Sequence, residues 1–280
     1  MKRHFRTMLE ARWAEGKFVC VGLDSELAKI PQFLHCPDDG LSGLKDTIVT
    51  FNQRIIDATH DLVCAYKPNI ALYEAYGESG ISALWRTIQY IHKVAPNVPI
   101  ILDAKRGDIG NTNDGYVKSA FDYFQADAIT ISPYLGREAL QPFLDQKEKG
   151  IFVLSRTSNS GAGEFQDLIV GDKPLYQHVA QHVKESWNTN YNCGLVVGAT
   201  YPEELAEVRA IAGLMPLLIP GIGAQGGNLE ETVRAGRNSL GTGIIINSSR
   251  GIIFASKGGD FADVARRETL ALHNGIISSL

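Results

Sequence analysis

Short β-rich runs alternate with helical segments along the whole chain, and that alternation restricts the fold more than any other feature. The runs occupy 18–24, 62–69, 98–105, 126–132, 150–157, 192–200, 215–223 and 240–250. Between them, 44–60, 81–94, 114–124 and 202–211 read as helices. Pro202 suits a first helical turn, and Glu203 and Glu204 suit the positive end of the helix dipole. Residues 98–102 and, apart from Thr130, residues 128–131 are apolar, as expected of strands covered on both faces. Eight strand–helix units predict an α/β fold of the (β/α)8 TIM-barrel type, with residues 1–280 as a single domain. A doubly wound open sheet is the competing architecture. It calls for a glycine fingerprint after the first strand, and Val21-Gly22-Leu23-Asp24-Ser25 does not supply one.

Composition excludes several classes. With 44% hydrophobic and 21% charged residues, the chain reads as an ordinary soluble globule. A formal net charge of −4 argues against a general nucleic-acid binder. The four cysteines, Cys20, Cys36, Cys64 and Cys193, show no CxxC pair and no zinc spacing, so they read as reduced and structural. Lys2, Arg3 and Arg6 precede no apolar stretch, and Phe5, Met8, Leu9 and Trp13 suggest a short amphipathic helix instead of a secretory signal. No run is long enough to span a membrane, which makes a cytoplasmic location the default. The stretch 158–172, with three glycines, reads as a long mobile loop of the kind that closes over ligands.

In this architecture chemistry belongs at the C-terminal ends of strands. Asp24, Lys67, Asp103, Lys105, Ser158, Gln225 and Arg250 all fall there. The densest stretch is Leu102-Asp103-Ala104-Lys105-Arg106-Gly107-Asp108. Strand alternation places Asp103 and Lys105 on one face, directed to the barrel interior near its rim. Asp108 follows beyond a glycine, so two carboxylates and an ammonium can converge. The competing reading is a solvated loop with ordinary surface ion pairs. Alternation opposes it, because it directs both residues inward.

A second constellation reads as a phosphate site. Residues 221–227 hold four glycines in seven positions, followed by a helix from Leu229. Glycines let backbone N–H groups approach an anion, and a helix N-terminus adds positive partial charge. Arg250, at the neighbouring strand end, brings a guanidinium fork that matches phosphate.

The run from Leu102 through Asp108 to Ile109-Gly110-Asn111-Thr112 resembles the signature of the orotidine 5′-phosphate decarboxylase family, built on Asp-x-Lys-x-x-Asp, and its wording is similar to the longer-chain bacterial branch. The resemblance extends through Asp24, Lys67 in Tyr66-Lys67-Pro68-Asn69, Ser158 in Arg156-Thr157-Ser158-Asn159, the loop Pro220-Gly221-Ile222-Gly223-Ala224-Gln225-Gly226-Gly227, and Arg250 in Ser248-Ser249-Arg250-Gly251. One departure is Arg156, where many members carry Glu. The resemblance implies decarboxylation of orotidine 5′-phosphate to uridine 5′-phosphate, the last step of de novo UMP synthesis, with no cofactor and no metal. It implies catalytic roles for Lys105, Asp103, Asp108 and Lys67. It also implies substrate contacts from Asp24 (ribose), Ser158 (pyrimidine edge), Arg250 (phosphate), Gln225, Ile109 and Thr112. Asp108 and Ile109 would reach into a partner's site, which implies a homodimer with shared sites.

The chemistry asks for such residues. The carbanion left when CO2 departs from C6 lies in the ring plane, where the π-system cannot delocalise it. A fixed ammonium beside C6 can stabilise that charge and then donate the proton. Lys105 is the candidate, its charge held by Asp103 and Asp108 on either side. Two alternatives stand beside this reading. A metal-dependent sugar-phosphate decarboxylase or aldolase in a related barrel would need an acidic ligand where Lys67 stands. A silent nucleotide-binding protein would not need the trio Asp103, Lys105 and Asp108.

Overall fold

The computed structural model describes residues 3–36, 41–222 and 228–280. Eight strands form its centre: β1 (Val19–Gly22), β2 (Val63–Lys67), β3 (Ile101–Arg106), β4 (Ala128–Ile131), β5 (Gly150–Arg156), β6 (Cys193–Val197), β7 (Leu217–Pro220) and β8 (Ile244–Ser248). They pair in parallel in the order β2-β1-β8-β7-β6-β5-β4-β3. The sheet's two ends meet through bridges Tyr66↔Ile100 and Asn69↔Asp103. There the Asp103 N–H donates to the Pro68 carbonyl at 3.0 Å, and the Ile70 N–H donates to the Asp103 carbonyl at 3.2 Å. Helices follow every strand, so the expected (β/α)8 barrel is the fold observed. Every residue of β1, β2, β4 and β6 is buried, which is why these segments read as largely apolar runs, broken only by Lys67 at the end of β2 and Thr130 within β4.

The helix Phe5–Ala14 plugs the N-terminal end of the barrel. Its Phe5 ring meets Phe152 edge-on at 5.5 Å, and Trp13 Nε1 donates to the Ile244 carbonyl at 2.9 Å. Gly150 makes room for this plug, since a Cβ there would lie 2.4 Å from the Phe5 ring. Truncating a ring packed this way costs about 3–5 kcal/mol. With that end filled, the barrel interior opens towards the opposite mouth. Cys20, Cys64 and Cys193 are buried and Cys36 is half-buried, all unpaired. Burial pushes the Cys20 and Cys193 thiols up to about 12, which leaves them inert. Among the described residues no helix is long and apolar enough to cross a membrane.

Three sequence expectations change. The run 240–250 is strand only from Ile244, because Asn238 Oδ1 accepts the N–H groups of Leu240 and Thr242 and holds the preceding residues in a turn. The helix read at 114–124 begins at Gly110, runs to Val117 and continues as a π-helical turn, Lys118–Tyr123. The stretch 158–172 carries local secondary structure, a short helix Gly163–Gln166 and a small antiparallel hairpin pairing Ile169 with Pro174 and Val170 with Lys173.

Candidate active site

At the C-terminal ends of the strands lies a cavity of about 490 Å³. Asp24, Lys67, Asp103, Lys105, Ser158 and Arg250 all line it, together with an apolar wall that includes Leu154, Val196 and Leu218. Six residues from separate parts of the sequence thus meet at one mouth, because parallel strands deliver all their C-terminal ends to the same side.

Asp103 is the hub. Its Oδ2 accepts from Lys67 Nζ and its Oδ1 from Lys105 Nζ, each at 2.6 Å. Lys67 and Asp103 are both buried, whereas the Lys105 side chain is half exposed. Burial opposes charge on the Asp103 carboxyl, but Lys67 and Lys105 outweigh it and hold the group well below the usual carboxylate range. Burial likewise opposes charge on Lys67, and Asp103 and Asp24 outweigh it and hold the ammonium above the ordinary lysine value. Asp24 Oδ1 is buried without a hydrogen-bond partner, which leaves an acceptor for a hydroxyl.

Within one chain the carboxylate of Asp103 is flanked by two ammonium groups, and the second carboxylate expected beside Lys105, that of Asp108, is not among them. Simple alternation also fails in β3. Between Leu102, opposite Ile129, and Arg106, opposite Ile131, the strand carries an excess of residues and its register shifts. Lys105 adopts φ +48° in this bulge, a left-handed conformation uncommon outside glycine. The bulge, and not a strand face, directs Lys105 back onto Asp103.

Asp108 does not join the array within one chain. It follows the end of β3, where its Oδ1 accepts the Ile109 N–H at 2.7 Å. Its backbone is held by Asn113, whose Oδ1 accepts the Asp108 N–H and whose Nδ2 donates to the Asp108 carbonyl. Asp108, Ile109 and Thr112 are not among the cavity-lining residues. Ile109 is 62% exposed, and Thr112 borders a separate shallow depression beside Arg106 and Tyr116. Gln225 and most of the glycine run lie outside the described residues. Arg250 stands two residues past the end of β8, opening the short helix Arg250–Ile253.

The departure at Arg156 has a local partner. Its buried guanidinium places Nε 2.8 Å from Asp167 Oδ1, donates through Nη1 to the Thr157 carbonyl, and lies over the Tyr201 ring at 4.6 Å. A glutamate here would face Asp167 with like charge. Gln166 adds a second tie, accepting the Thr157 N–H at 2.8 Å. Ser158 packs on Gly198, where a Cβ would lie 2.6 Å from the serine Cβ. The cover over the cavity is therefore built from ion pairs and hydrogen bonds that neighbouring sequence alone does not reveal.

Among the cavity residues that escaped sequence reading are Asn247 and Thr130. Asn247 is buried with Oδ1 unpartnered. Thr130 bonds Asp103 directly, its hydroxyl donating to Oδ1 at 2.9 Å. The available signal was a lone polar residue inside each of two apolar strands. Among the described residues, no group of three or more His, Cys, Asp or Glu side chains is placed to share a metal ion.

A closed parallel barrel with a lysine–aspartate–lysine array in its C-terminal mouth defines a class, the (β/α)8 barrel enzymes. Residues 17–262 match the model of the Orotidine 5′-phosphate decarboxylase / HUMPS family, and the chain belongs to that family. It is 50% identical over 273 residues to an orotidine 5′-phosphate decarboxylase of Ralstonia pickettii (strain 12J), covering 97% of each chain. It is also 50% identical over 275 residues to that of Azoarcus sp. (strain BH72), covering 98% of each. Among solved structures it resembles the OMP decarboxylase of Leishmania donovani, with a TM-score of 0.81 and 40% identity over 97% of this chain and 99% of that one.

Proposed function

We propose that this chain decarboxylates orotidine 5′-phosphate to uridine 5′-phosphate, with Lys105 as the proton donor. The observation that carries the mechanism is the Lys105–Asp103–Lys67 array, two 2.6 Å ion pairs that hold an ammonium at the cavity mouth. The C6–carboxylate bond breaks, CO2 leaves, and the electron pair remains at C6. The Lys105 ammonium opposes that developing charge and transfers its proton to C6, after which solvent restores the lysine. Because both Asp103 oxygens are already engaged by lysines, the array is organised before substrate arrives, and little reorganisation accompanies the charge shift.

In this reading Arg250 takes the phosphate, with Gln225 and the glycine run beside it. Asp24, with its unpartnered buried oxygen, takes a ribose hydroxyl, and Ser158 reads the pyrimidine edge. The apolar wall of Leu154, Val196 and Leu218 lowers the local dielectric, which strengthens the ammonium's effect. Asp108, Ile109 and Thr112 serve a partner's site in a homodimer. Two features support this: Ile109 is exposed, and Asp108 stands beyond the strand that carries Lys105. The reaction needs no cofactor or metal, the chain acts as one domain over 1–280, and it works in the cytoplasm.

Loss of orotidine 5′-phosphate absorbance with purified, EDTA-treated protein tests the reading. Full activity supports it against both the metal-dependent and the silent alternative. No turnover, or turnover restored only by a divalent ion, overturns it.

A further inference from the structure

We propose that Thr130 is a positioning residue for the proton donor: its hydroxyl holds the left-handed turn at Lys105 and orients the carboxylate that Lys105 pairs with. The inference rests on the assignment of Lys105 made above. Thr130 sits in β4, only 1% exposed, and its strand neighbours Ala128, Ile129 and Ile131 are apolar and buried. At such a position valine has the same shape and no polar group to satisfy. The hydroxyl must therefore have local work.

Its bonds are all directed at the array. Oγ1 donates to Asp103 Oδ1 at 2.9 Å and accepts the N–H groups of Ala104 and Lys105, each at 3.0 Å. One donor and two lone pairs are thus fully used. Those two N–H groups belong to the bulge where β3 leaves its register with β4, so the strand ladder does not satisfy them. Thr130 itself stays in register with Phe152 of β5, which anchors the hydroxyl to the rigid barrel wall.

The arrangement does two things at once. It offsets the cost of φ +48° at Lys105, a conformation that persists only where surrounding structure enforces it. It also shares Asp103 Oδ1 with Lys105 Nζ, which is 2.6 Å from the same oxygen, so the lysine's acceptor cannot rotate away. Without the hydroxyl, two N–H groups lose their partner and the turn carrying Lys105 is free to relax. Misplacement of a reacting group by about 1 Å costs on the order of 100-fold in rate. Substrate affinity, set by groups elsewhere in the cavity, should hardly change.

The test compares wild type, Thr130→Val and Thr130→Ser on orotidine 5′-phosphate, with uridine 5′-phosphate affinity and thermal unfolding measured alongside. The expected result is a kcat lower by on the order of 100-fold in the valine variant, with KM and product affinity within about threefold of wild type, and recovery of most of kcat in the serine variant. Should the valine variant not fold, Thr130→Cys, a weaker donor of similar volume, takes its place in the same comparison. A folded valine or cysteine variant with wild-type kcat overturns the positioning role. So does a parallel loss of product affinity, or a serine variant as slow as the valine one. A wild type without turnover overturns the decarboxylase reading itself, and the role of Thr130 with it.

Discussion

Lys67 Nζ and Asp103 Oδ2 stand 2.6 Å apart across the seam where β2 meets β3 and the barrel closes. The two residues are 36 positions apart in sequence, and their pairing ties closure of the fold to assembly of the active site. The same pair sets a pH dependence.

Asp103 is held below its unfolded value of about 3.9. A depressed carboxyl contributes stability that is fully present above the unfolded value and is lost as pH falls through about 4 towards the folded value. Lys67, raised above its unfolded value of about 10.4, contributes stability present below that value and lost as pH rises past it. Urea unfolding across pH should therefore show loss on the acid side that Asp103→Asn flattens. At neutral pH that variant should be weaker by about 3–5 kcal/mol, since it strands buried Lys67. An unchanged acid limb would assign the acid sensitivity to other carboxylates.

Lys105→Ala should abolish turnover and leave the fold intact, because its side chain is half exposed and Asp103 keeps its pairing with Lys67. Removing a general acid alone costs about 10²–10⁴-fold, and loss of the fixed charge adds to that. Decarboxylation measured beside circular dichroism decides the matter. A folded variant keeping about a tenth of the wild-type rate is incompatible with a proton-donating Lys105.

Arg250→Ala should lower kcat/KM for orotidine 5′-phosphate by the equivalent of about 2–5 kcal/mol, the cost of leaving a charged partner unpaired. Orotidine, which lacks the phosphate, is the control and should lose little. Equal losses on both substrates would show that Arg250 acts through structure or chemistry instead of holding phosphate.

Mixed dimers test the shared site. Lys105→Ala and Asp108→Asn homodimers should each be nearly inactive. Random re-assortment makes about half the dimers mixed, each with one site that has both residues intact, so activity should return to about a quarter of wild type. A size tag on one variant, after partial denaturation and refolding, verifies exchange. Proven mixed dimers without recovery would place the work of Asp108 in its own subunit.

Much of this molecule was legible in one dimension. Apolar runs such as 128–131 announced buried strands, and their alternation with helices announced the barrel. The strand-end position of Asp24, Lys67, Asp103, Lys105, Ser158 and Arg250 followed from that architecture, and all six meet in the cavity. These features are legible because a parallel barrel converts a local property, being last in a strand, into a global one, facing the mouth.

What the sequence could not convey is which charges touch. Alternation placed Lys105 on Asp103's face for the wrong reason, since the contact depends on a bulge that only the pairing of β3 with β4 reveals. The partners of Arg156 and Thr130 were hidden likewise: Asp167 approaches from the cover, and Asp103 from the neighbouring strand. Side-chain chemistry and strand order along the chain were determined locally, by hydrophobic pattern and residue type. The identity of each ion pair was decided by tertiary structure. An interaction that acts over a few ångströms depends on how separate strands register, and no single segment encodes that register.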